Sequence, residues 1–73
     1  MMNEMTDEMK EKLSKYYMNT SREVHITTTS KRFYNGKIIS LEPDFIILID
    51  RVIGEMPLFF KEIVGIEPAR EGK

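Results

Sequence analysis

The sequence predicts a mainly β domain: an N-terminal α-helix followed by a strongly bent, five-stranded antiparallel small barrel. Three observations carry this expectation. Between Phe33 and Ile66, short apolar runs are separated by Gly, Pro and Asp turns, the punctuation of an antiparallel meander. Phe45–Ile49 (FIILI) is apolar at every position, so both faces of that strand need cover. Ahead of the meander, Met5, Met9, Leu13 and Tyr16 or Tyr17 recur at three- and four-residue steps, the spacing of one helix face.

The totals set bounds. A chain of 73 residues supports one domain with a small core: a helix over about 5–18, a barrel over about 23–67 and a polar tail over 68–73. There is no cysteine, which removes disulfides and thiolate metal sites, and a lone histidine argues against zinc ligation. Stability at this size then rests on a tidy core and on self-association. A formal net charge of −1 gives the whole chain no electrostatic pull toward nucleic acid, so any such site must be a local patch. The longest apolar run is far too short to span a bilayer, and the acidic start lacks the basic and apolar regions of a signal peptide. The expectation is a cytoplasmic protein with no membrane partner.

Residues 3–19 read as the helix, with Thr6 as N-cap, Asp7 and Glu8 in the first turn, and a stop at Asn19-Thr20-Ser21. Its Met stripe reads as packing on the barrel; an adaptable partner-binding face is the alternative. Glu23–Thr29 alternates, with Val24, Ile26 and Thr28 on one face and His25 on the polar one. Arg32–Leu41 is the second strand, where Gly36 suggests a bulge or bend and Tyr34, Ile38, Ile39 and Leu41 turn inward. Glu42-Pro43-Asp44 is a turn, Phe45–Ile49 the third strand, and truncation of Phe45 or Ile47 is expected to cost about 2–5 kcal/mol. Asp50–Glu55 is a hairpin connection with Gly54 at the φ > 0 position. Met56–Phe60 is the fourth strand, Lys61-Glu62 a tight, 3₁₀-like turn, and Ile63–Glu67 the last strand.

No residues assemble into a recognisable catalytic set. The carboxylates stand singly at turns, and there is no Gly-rich phosphate loop, histidine cluster or metal-ligand spacing. Neither an enzyme nor a cofactor is expected. Basic residues interleaved with aromatics around the first hairpin, namely Lys31, Arg32, Phe33, Tyr34 and Lys37, with Arg51 and Lys61 in addition, could hold single-stranded nucleic acid by phosphate contact and stacking. Val52, Ile53, Met56, Leu58 and Phe60, with Ile63 and Ile66, offer apolar surface near strand edges for self-association.

A helix followed by five short strands resembles the Sm-like (Sm/Hfq-like) fold over nearly the whole chain. The first Sm motif is matched by Gly36, Ile38, Leu41 and Glu42, then Phe45–Asp50; Ile63 and Ile66 resemble the apolar pair that closes the other Sm motif. The resemblance implies hexameric or heptameric rings, made by pairing the fourth strand of one copy with the fifth of the next, and binding of U-rich or A-rich RNA in RNA metabolism. At the family's base pocket, an Asp, a stacking side chain and an Asn, this chain has Glu42, Asp44 and Ile46. Only the acid is kept, so the implied contacts are to phosphates and by stacking rather than in a uridine pocket.

Overall fold

A computed structural model describes residues 5–69, which form helix α1 (Asp7–Thr20) and strands β1 (Val24–Thr28), β2 (Phe33–Leu41), β3 (Phe45–Asp50), β4 (Gly54–Phe59) and β5 (Ile63–Pro68). A 3₁₀ turn, Phe60–Glu62, joins the last two strands. All strand pairings are antiparallel, in the order β4-β3-β2-β1-β5. The mainly β class with an N-terminal helix is as the sequence predicts.

The sheet is open rather than closed. Its edge strands β4 and β5 are four strand spacings apart, about 19 Å if flat, yet only the 3₁₀ turn separates them in sequence. Such a turn rises only about 2 Å per residue, so the sheet must curve to bring its edges within reach. The turn is held at both ends. Phe60 N–H donates to the Asp44 carbonyl at 2.9 Å, and Thr29 N–H to the Glu62 carbonyl at 2.8 Å. Curvature stops short of closure, because β4 and β5 are not hydrogen-bonded to each other. The expected barrel therefore becomes a curved sheet with two free edges.

The bend in β2 does not fall at Gly36. The β2–β3 register slips between Ile38 and Ser40, so the bulge is at Ile39, which is exposed rather than turned inward. Gly36 has a different task. A Cβ there would sit 1.8 Å from the Ile49 carbonyl oxygen, so only glycine lets β3 approach this closely. Gly54 does adopt φ 97° where the chain enters β4, and Pro57 sits on edge strand β4, where a missing N–H is tolerated.

Val24, Ile26, Ile38, Ile46, Leu48, Leu58, Phe60, Ile63 and Ile66 form the core on the inner face of the sheet. Helix α1 covers that face, packing mainly on β2 and adding Tyr17 to the core. Thr6 caps the helix, its Oγ1 accepting from Met9 N–H at 3.1 Å, and Ser21 ends it in the left-handed region. The buried stripe overlaps the expected one only in part, with Met5, Leu13 and Tyr17 packed on the core. Lys10, Ser14 and Tyr17 are buried, whereas Met9 is 49% and Tyr16 60% exposed. Lys10 lies within this stripe: its stem runs inward and its Nζ donates to the Phe60 carbonyl at 2.5 Å, with Asp7 at 3.7 Å. The polar tail begins later than expected. Pro68 pairs with Val24 in β5, and buried Ala69 donates its N–H to the Glu23 carbonyl at 3.0 Å. The expected tail over 70–73, and the expected helix start at Asn3, lie outside the described residues.

Candidate nucleic-acid interface

The predicted contact residues occupy separate places. Lys31 and Arg32 are exposed in the β1–β2 turn, Lys31 in the left-handed region at φ 65°. Tyr34 pairs with Ile26 and packs, half-buried, against the core, so its ring is not a free stacking surface. Lys37 is exposed midway along the outer face of β2. Glu42 accepts from Ser40 Oγ at 2.7 Å in the β2–β3 turn. Lys61 stands in the 3₁₀ turn, beside a cleft of about 300 Å³ lined also by Asp7, Pro43, Asp44, Phe59 and Phe60. Two carboxylates beside Lys61 make that cleft a poor place for a phosphate. Ile46, at the family's Asn position, is wholly buried.

The predicted interface residues divide in the same way. Val52, 91% exposed, and Ile53 project from the β3–β4 turn, and Met56 is half-buried. Leu58, Phe60, Ile63 and Ile66 are buried in this chain's own core, so their side chains are not available to a second copy. The pattern that suggests edge surface in the sequence is the inward half of β4 and β5. What those strands do leave open is their backbone edges.

A further polar surface forms around His25, which the sequence offers only as a polar-face strand histidine, and Phe33, an aromatic of the first hairpin. Cross-strand register sets His25 opposite Asn35 on β2 and Glu67 on β5. His25 Nδ1–H donates to Asn35 Oδ1 at 2.8 Å, leaving Nε2 as the ring's remaining hydrogen-bonding atom. The His25 ring stacks on Phe33, with centroids 5.3 Å apart and planes at 17°. His25, Asn35, Glu67 and Pro68 line a shallow cleft of about 460 Å³. Phe33 is 61% exposed, and Lys31 and Arg32 precede it in the turn. The signal present in the sequence is a diagonal one: a histidine and a phenylalanine on the polar faces of two strands joined by a short turn.

The end of this surface is fixed by Asp50. Its Oδ1 accepts from Ile53 N–H at 2.9 Å and Val52 N–H at 2.8 Å, and its Oδ2 from Asn35 N–H at 3.1 Å. These backbone donors, that of Ile53 foremost, hold the carboxyl below its ordinary pKa. The Asp50 side chain thus ties the β3–β4 turn to the strand carrying Asn35. Nearby, Arg51 pairs with Glu23, and that hydrogen bond lowers the Glu23 carboxyl too. Among the described residues, no group of three or more His, Cys, Asp or Glu side chains is placed to hold a metal ion, and no helix is long and apolar enough to cross a membrane. No protein-family model matches the sequence, and no curated protein is significantly similar to it.

Proposed function

We propose that this chain is an Sm-like RNA-binding protein that forms a homo-oligomeric ring and holds single-stranded RNA by phosphate contacts and base stacking. The ring part is supported by the strand order, which leaves β4 and β5 as free edges at opposite ends of one sheet. Head-to-tail pairing of two different edges closes into a ring when the rotation per copy allows it. The RNA part is carried by one observation, the exposed Phe33 ring stacked on His25 directly after Lys31 and Arg32. An aromatic platform beside cations is the arrangement that takes a base on its face and a phosphate at its rim. Asn35 and His25 Nε2 supply hydrogen-bonding groups at the platform's side.

Titration of oligo-U and oligo-A at low and physiological salt tests this. Binding should weaken as salt rises, and Phe33→Ala should weaken it by between about 5-fold and about 150-fold, equivalent to about 1–3 kcal/mol for a lost stacking contact. Absence of binding at low salt overturns the RNA reading. A second reading, a structural or protein-interaction oligomer without nucleic acid, is favoured by Val52 and Ile53 at the β3–β4 tip and by the missing base pocket. A nuclease-treated protein of ring mass that binds neither oligonucleotide supports that second reading. Both readings concern binding, not catalysis.

A further inference from the structure

The outer face of β3 and β4 is apolar, and no other element among the described residues covers it. Phe45, Ile47 and Ile49 alternate there with the buried Ile46 and Leu48, and Phe59 of β4 lies against Phe45 with ring centroids 5.2 Å apart. Ile49 is 45% and Phe59 41% exposed, while α1 occupies the opposite, inner face. Charges flank this surface in a particular order. Register puts Lys37 on β2 beside Ile49, and Ile49 beside Glu55 on β4, so one row reads cation, apolar, anion. Neither Lys37 nor Glu55 has an ion-pair partner within 4.0 Å among the described residues; Lys37 acts on the Glu23 carboxylate only at longer range, and that carboxylate is paired with Arg51.

We propose that this face packs on the same face of a second copy of the chain, about a two-fold axis parallel to β3. The charge row selects the axis. Rotation about a line along β3 exchanges the β2 and β4 sides, so Lys37 stands over the partner subunit's Glu55 and Ile49 over the partner subunit's Ile49. A two-fold axis along the row would instead set lysine on lysine and glutamate on glutamate. Only the first arrangement is self-complementary. It stacks two sheets with their strands aligned, a standard packing of apolar sheet faces. The outer surfaces of β1 and β5, with Phe33 and His25, remain uncovered. The contact is therefore independent of the RNA reading, except that Lys37 becomes an interface residue.

The patch spans only three strands, so association is expected to depend on concentration. The test is weight-average mass of the nuclease-treated full chain, measured over a range of concentrations. Ile49→Lys, an exposed position, should keep the circular dichroism spectrum and halve the mass, whatever multiple the free edges set. Lys37→Glu and Glu55→Lys should each weaken association by about tenfold through like-charge contact, and the double variant should restore it. Loss of edge pairing alone would leave a dimer, so the ring reading and this one fail separately. A mass unchanged by Ile49→Lys, or a double variant as weak as either single one, overturns the proposal. Either result would give the face to another occupant.

Discussion

The two halves of the outer sheet surface obey different rules. On the β1–β5 side the inward residues are mainly apolar and the outward ones mainly polar: Val24 and Ile26 are buried, with Thr28 beside them, while His25, Thr27 and Glu67 face out and Val64 is the exposed apolar exception. On the β3–β4 side the inward residues are equally buried, but Phe45, Ile47, Ile49 and Phe59 face out. The inner faces of both halves share one core, so folding alone does not require the outward set of apolar side chains. Under the readings proposed above, the apolar excess on β3 and β4 serves assembly and the polar set on β1 and β5 serves ligand contact.

This division can be broken in steps. The largest effect is expected from Leu48→Ala or Ile46→Ala, each wholly buried and each losing about 2–5 kcal/mol in denaturant melts. Ile49→Ala, one residue along the same strand, should cost under about 0.5 kcal/mol at concentrations where the chain is monomeric. Similar losses at both sites would abolish the contrast between faces. Gly36→Ala comes next, at about 1–3 kcal/mol, because the new methyl meets the backbone carbonyl of Ile49 rather than a movable side chain.

Asp50→Ala should cost about 1–2 kcal/mol at neutral pH, since three backbone N–H groups lose a charged acceptor. The pH dependence has a definite sign. The folded carboxyl sits below its ordinary value of 3.8, so its stabilisation is fully present above that pH and lost as pH falls through the lower, folded value. The gap between wild type and Asp50→Ala in urea midpoints should therefore be constant above about pH 5 and shrink below about pH 4. A gap that persists undiminished in strong acid would assign the effect to packing instead of charge.

Most of this organisation is legible in the sequence where local pattern decides. Strict alternation marks β1, Gly54 marks the entry to β4, and Lys61-Glu62 marks the 3₁₀ turn. What escapes depends on partners distant in the chain. The buried stripe of the helix includes Lys10, which bonds the distant Phe60 carbonyl, and a buried lysine has no local signature. Gly36 is readable as a special position, but its cause is the Ile49 carbonyl of a neighbouring strand, while the bulge sits among residues (Ile38, Ile39, Ser40) with no glycine to mark it. Phe45 and Ile47 read as central because every residue of their strand is apolar; only the register reveals that Ile46 and Leu48 hold the inside. For the site, the sequence points to the cations and aromatics of the first hairpin, Phe33 among them, and leaves His25 as a polar-face strand residue; that Asn35 and Glu67 stand beside His25 comes only from cross-strand register.

The position of β1 between β2 and β5 has a consequence for how the chain is made. β2, β3 and β4 are sequential neighbours and can zip as successive hairpins while synthesis continues. β1 gains one neighbour early, but its other neighbour is the last strand to emerge, at Ile63–Pro68. Until then its outer hydrogen-bonding edge is bare, and Val24 and Ile26 lack Ile66 as a packing partner. Until β5 docks, β1 is thus a sticky edge of the nascent sheet, and the arrival of β5 completes the core and moves that open edge from β1 to β5.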